Sequence, residues 1–207
     1  MLSFKSLAFA AAVAFGALST AFAAPAVVGS EVVARDLVAA RGVAVILTDV
    51  HTKIQPHILE LNSLVKANAT VEVVTPIVVE IKGVVVDAVV EVIALAGASA
   101  DVILAGVDGG VQVTVAVLAQ IIADLLILVF GALGFVLSIC ADVTVMIPCL
   151  CIVADVIGCL ICAVFSLVGS LLVGIIGAVV VLIAAILPVI AQLNILVLVN
   201  VFAGVKL

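Results

Sequence analysis

Beyond Leu125 the chain carries only three ionisable side chains other than cysteines: Asp142, Asp155 and Lys206. From Val156 to Val205 it has no Asp, Glu, Lys or Arg at all. A soluble fold needs polar side chains to cover its core, and soluble domains are about 25% charged. This chain is 10% charged and 68% hydrophobic, with a mean hydropathy of +1.68. Its second half therefore faces lipid or another apolar surface. The net charge of -6 excludes nucleic acid as a partner, because phosphate binding needs clustered Lys and Arg. After Lys82 the next basic residue is Lys206, so an anionic membrane surface does not attract the intervening segment electrostatically either.

The N-terminus points to the secretory route. Lys5 supplies a short positive region, Leu7 to Leu18 is apolar, and Ala21-Phe22-Ala23 fits the small-x-small rule for signal peptidase, with cleavage before Ala24. Residues 1–23 are thus expected to be a signal peptide, and residues 24–42 a mobile leader or propeptide. On that route Asn68-Ala69-Thr70 is a candidate N-glycosylation sequon, and the polar lead-in "NSLVKANAT" suits an exposed loop.

Two amphipathic stretches follow, within a helical region of residues 43–112. Leu47, Val50, Ile54, Ile58, Leu61 and Val65 recur at three and four, predicting one or two helices interrupted at Gln55-Pro56. The valine-rich run from Thr75 invites a strand, but Glu80 and Lys82 have one parity while Asp87 and Glu91 have the other. On a helix Pro76, Glu80, Gly83, Asp87 and Glu91 fall within an arc of about 80°. Helix is the reading, with Thr75 as N-cap, Pro76 in the first turn and an end near Leu95. A short helical turn at "SADVILAG" precedes a break at Asp108-Gly109-Gly110. Residues 113–207 are then a hydrophobic, membrane-associated helical region. The expected fold class is all-α: amphipathic helices followed by a membrane-embedded part.

In that second region a helix starting near Thr114 carries a weak polar stripe of Gln112, Ala116, Gln120 and Asp124. It leads into Leu125–Ala141, an uncharged run of about 26 Å as a helix, close to the hydrocarbon thickness of about 30 Å. Asp124 and Asp142 flank it, so both carboxylates stay near the interfaces; this is the strongest single span. Val143 to Ala154 is too short to cross alone. Val156 to Leu187 is either one long helix ended by Pro188 or a hairpin broken near Val168-Gly169-Ser170. The tail from Val189 is a span or an interfacial helix, and two to four spans are compatible with the pattern.

Ala154, Gly158, Cys162, Ser166, Ser170, Gly174 and Ala178 recur every four residues. On one helix they form a ridge of small side chains of the kind that lets backbones approach closely in lipid. A helix–helix contact is expected there, within the chain or between copies as a homo-oligomer.

Enzyme chemistry is not expected. Cys159-Leu160-Ile161-Cys162 has the C-x-x-C spacing, but an apolar run disfavours the thiolate that redox catalysis needs. Cys140, Cys149, Cys151, Cys159 and Cys162 are candidates for one or two disulfides, or small packing residues; five is odd, so at least one stays free or pairs between molecules. His51 and His57 lie about 240° apart around a helix, so with Asp49 and Glu60 they read as solvated helix residues, not metal ligands. Asp124, Asp142 and Asp155 lack the basic partner or repeated polar face of a proton or cation path. Phosphate-binding and dinucleotide-binding loops are missing, as is a nucleophile with a base, and no cofactor or metal is expected.

The signal, the segment "ANATVEVVTPIVVEIKGVVVDAVVEV" and the Cys-bearing apolar half together resemble uncharacterised secreted or membrane hydrophobic proteins of mushroom-forming fungi. That resemblance implies no activity. Hydrophobins differ, having eight cysteines with adjacent Cys-Cys pairs. The expected role is that of a non-enzymatic helical membrane protein acting by helix–helix association, with membrane lipid as its partner. The alternative is a secreted amphiphile that self-assembles or binds lipid at apolar interfaces.

Overall fold

Each long helix of the chain owes its place to apolar residues spaced alternately three and four apart. The computed structural model describes residues 41–106 and 111–193. The expected signal peptide, all but the last two residues of the expected leader, the Asp108-Gly109-Gly110 break and the tail from Asn194 lie outside the described residues. The helices are α1 (Val43–Asn62), α2 (Val71–Ala94), α3 (Ala100–Ile103), α4 (Val115–Ile139), α5 (Val143–Val168), α6 (Ile175–Leu182) and α7 (Leu187–Gln192). A 3-10 turn, Ala184–Ile186, joins the last two. Among the described residues the fold is all-α, and Ala105 and Gln112 form an isolated antiparallel bridge.

α2 shows the spacing most plainly: Val74, Val78, Ile81, Val85, Ala88 and Val92 are all buried. Leu118, Ile122, Leu125, Val129, Leu133 and Val136 continue the pattern on α4, and Met146, Leu150, Val153, Ile157, Leu160 and Val164 on α5. Such seams favour helices packed side by side, as in four-helix bundles. The result is a closed ring in which α1 packs on α2, α2 on α5, α5 on α4 and α4 on α1. α5 rests mainly on α2, whereas α4 is the hub, contacting α1, α5, α6 and α7. α7 comes close because Gly134 has no side chain: a Cβ there would lie 3.1 Å from a Val189 methyl. Among the described residues the buried set is wholly apolar, with no buried polar or charged side chain.

Three local expectations change. α2 begins at Val71 with Thr70 as the N-cap residue, not at Pro76. Thr75 is already inside and turns its hydroxyl back to the Val71 carbonyl, 2.6 Å away. Pro76 costs α2 the hydrogen bond to the Glu72 carbonyl, on the exposed side where water can replace it. For the same reason α1 runs unbroken through Gln55-Pro56, both exposed. Finally, Asp155 is not a boundary, since α5 passes through both Pro148 and Asp155 as one helix.

The break near Val168-Gly169-Ser170 is present: α5 ends at Val168 and α6 starts at Ile175 after Gly174, whose φ of 88° suits glycine. α6 then packs on α4 and does not fold back along α5. α4 and α5 are each long and apolar enough to cross a membrane, and α6 with the following turn and α7, bent by 61°, is a candidate third span.

Phe130 is fully buried at the hub of this ring. Phe130→Ala should lower unfolding stability by about 3–5 kcal/mol, whereas Ile127→Ala on the exposed side of α4 should cost less than about 0.5 kcal/mol. Denaturant titration followed by circular dichroism measures both.

Candidate functional site

The largest chemical asymmetry of the bundle lies between its two helix pairs. On α1 and α2 the outward positions carry Lys53, Glu60, Glu72, Glu80, Lys82 and Asp87. The helices α4 and α5 offer only Asp124 and Asp155, amid exposed Val117, Ile127, Val145 and Ile152, whereas α1 and α2 interleave their charges with exposed Leu59, Val73, Val79, Val86, Val90 and Ile93. One side of the ring is a charged layer and the other an almost uncharged helical hairpin, joined by Cys140–Asp142. In that hairpin the most apolar window of α4 is 56% buried and that of α5 50% buried; α5 is covered chiefly by α2, and α4 by α1 together with α6 and α7.

The charged layer is tied to itself. Arg41, just before α1, contacts Asp49 at 3.0 Å and reaches Glu91 near the end of α2 at 3.5 Å. Lys53 adds a 2.9 Å contact to Asp49 one turn away. The Lys53 hydrogen bond, with help from Arg41, holds the Asp49 carboxyl below its usual range, against a smaller opposing effect of burial. The Asp49–Lys53 spacing of four was legible in the sequence. The Arg41–Glu91 link was not, because it depends on how α1 and α2 are aligned.

The three aspartates of the second half do not converge. Asp124 accepts a hydrogen bond from Gln120 at 2.7 Å on the exposed stripe of α4. Asp142 caps α5, accepting from the backbone N–H groups of Thr144 (2.9 Å) and Val145 (3.4 Å) and from the Thr144 hydroxyl. Asp155 lies exposed at the midpoint of α5. All three face outward, so they line no interior path.

Among the cysteines, all five are unpaired thiols. Four of them lie on α5, where one helix holds them at fixed and differing angles. Cys149 is buried and meets the Thr75 hydroxyl of α2 at 3.5 Å, which makes it a packing residue. Cys151 donates to the Leu193 carbonyl at 3.3 Å, and Cys140 to that of Leu137 at 3.4 Å. Cys159 is exposed and Cys162 half-buried.

The small-residue ridge does not exist as one surface. Only Ala154, Gly158, Cys162 and Ser166 lie on α5; Ser170 is in the following turn, Gly174 precedes α6 and Ala178 is on α6. Even on α5 the row rotates, because four residues advance about 400°, leaving a drift of about 40° per step. Ala154 and Gly158 are accordingly buried, Cys162 half-buried and Ser166 exposed.

His51 and His57 are half-buried on α1, and among the described residues no three of His, Cys, Asp or Glu cluster to hold a metal. Two small concavities are found among the described residues. One of about 70 Å³ lies between Asp49, Lys53, Asp87 and Glu91, and an open apolar one of about 200 Å³ lies between Val92, Ile93, Ala163 and Leu167. Both fall short of the roughly 300–1,000 Å³ that a small-molecule site uses. The sequon residue Asn68 is exposed in the α1–α2 turn, its side-chain oxygen accepting from Val65 N at 2.7 Å.

Comparison with family models, with curated proteins and with solved structures returns no match to this chain.

Asp49 yields a pH test. Its lowered folded pKa means that its stabilisation is complete above the unfolded value near 3.8 and is lost as pH falls through the lower folded value. Asp49→Asn should be less stable than the parent at neutral pH, with the gap closing below about pH 3.8 in acid-unfolding curves.

Proposed function

We propose that this chain is a non-enzymatic helical protein that associates with membranes and works through apolar helix packing, with α4 and α5 meeting lipid. The observation that carries the reading is the asymmetry of the ring. Two adjacent helices, long and apolar enough to span, present outward faces nearly free of charge, while the charged residues gather on α1 and α2. An exposed apolar surface of this kind marks a site of contact with lipid or protein. Chemistry has little to work with beside it, since the concavities are small and the carboxylates face apart.

A second reading, a secreted amphiphile at apolar interfaces, is favoured by one specific observation. About half of each apolar helix is already covered by the rest of the protein, and Asp155 sits in the middle of α5, where a fully lipid-exposed span would bear a large cost. Carbonate extraction of expressing cells separates the two. Retention in the membrane pellet is the expected result, and release into the supernatant or medium would favour the amphiphile.

Entry into the secretory route is part of the proposal, resting on the N-terminal pattern. The exposed Asn68 in the α1–α2 turn then meets the glycosylation machinery. Endoglycosidase should shift the gel mobility of the secreted or membrane-bound chain, and Asn68→Gln should abolish that shift; a shift that survives the substitution would reject this sequon.

A further inference from the structure

We propose that α1 and α2 form a removable cover over the α4–α5 hairpin: at a neutral bilayer the pair separates from the hairpin as a unit, and acyl chains take its place. The inference rests on the membrane reading above and adds to it which surface lipid finally contacts and what withholds that surface in water.

The directional interactions of the molecule are unevenly placed. Within the cover, Arg41 joins the start of α1 to the end of α2 through Asp49 and Glu91, and Lys53 reinforces the joint. Between the cover and the hairpin, among the described residues, the one side-chain polar contact is Thr75 with Cys149 at 3.5 Å. Everything else across that seam is apolar, such as Ile81 and Val85 of α2 and Val153 and Ile157 of α5, all buried in one core.

In water that seam is held by the hydrophobic effect, which is non-directional. Lipid tails are as apolar as these side chains, so at a bilayer the drive to keep the seam shut disappears while the ion pairs of the cover stay intact. Connectivity permits the separation. α4 and α5 are joined by Cys140–Asp142 alone, whereas α2 ends at Ala94 and α4 begins at Val115. At about 37–39 Å each, by 1.5 Å per residue, α4 and α5 are long enough for a core of about 30 Å. The choice of a neutral bilayer follows from the net charge of -6 and the lack of basic residues on the hairpin. Asp155, at the midpoint of α5, opposes deep insertion and so favours the covered form in water.

The contact between Thr75 and Cys149 supplies the test. Thr75→Cys places a thiol against Cys149, so that oxidation clamps α2 to α5 and reduction frees it. The full chain, with Cys140, Cys151, Cys159 and Cys162 replaced by alanine, is mixed with phosphatidylcholine vesicles bearing a photoactivatable acyl chain, and labelled residues are mapped by mass spectrometry. Labelling at Ile127 and Ile152 reports contact with the outer face, as the membrane reading requires. Labelling at Val153, one turn from Cys149 on α5, reports the covered face. The expected result is labelling of both faces when reduced, with the covered face falling several-fold on oxidation while the outer face persists. Ile81→Ala and Val85→Ala, which loosen the seam independently of any disulfide, should raise covered-face labelling, whereas Val86→Ala, on the exposed side, should not. Outer-face labelling without covered-face labelling in every variant would overturn the cover alone, as would covered-face labelling indifferent to the clamp. No labelling of either face would overturn the membrane reading together with it.

Discussion

Apolar side chains alternating three and four residues apart along four helices are the constraint on which the rest of this structure depends. That spacing brings α1, α2, α5 and α4 into a ring in which each helix packs on two others of the four. Because the interior of the described residues is wholly apolar, shape and volume set the register inside the ring. Among the described residues no buried ion pair or hydrogen-bond network pins one helix pair to the other. Polar side chains act instead on the surface, where they join α1 to α2 and finish helix ends.

Much of this could be read from the residues. The stripe of Glu80, Gly83, Asp87 and Glu91 identified α2 as a helix in spite of its valines, and Thr114 marked the start of α4. Helix boundaries at prolines were harder to read. Pro76 and Pro56 look like punctuation, but on a water-facing side each removes one hydrogen bond that solvent replaces, and a buried apolar seam on the other side outweighs it. Which helix lies against which was not legible at all. The Arg41–Glu91 and Thr75–Cys149 contacts join residues far apart in sequence whose meeting depends on the closure of the ring.

The small-residue row and Asp155 failed as sequence signals for related reasons. A spacing of four looks like a straight line in the sequence, yet it winds around a helix of 3.6 residues per turn. The row therefore crosses from core to surface before α5 ends, and Gly174, with its left-handed backbone, starts the next helix. Asp155 looked like the edge of an apolar run because charge usually marks an interface. Here α5 simply turns it outward, and the helix continues on both sides of it.

The cap at the start of α5 has a consequence for the hairpin as a whole. The turn Cys140–Asp142 holds one charged group, and two N–H donors and a hydroxyl of the first turn of α5 are directed at its carboxylate. These are groups that would otherwise need water, as would the carboxylate. The tip thus carries part of its own hydration shell, built from backbone and threonine. Donor and acceptor remain matched wherever the tip is carried, so the end of the hairpin is far less dependent on bulk water than its formal charge suggests.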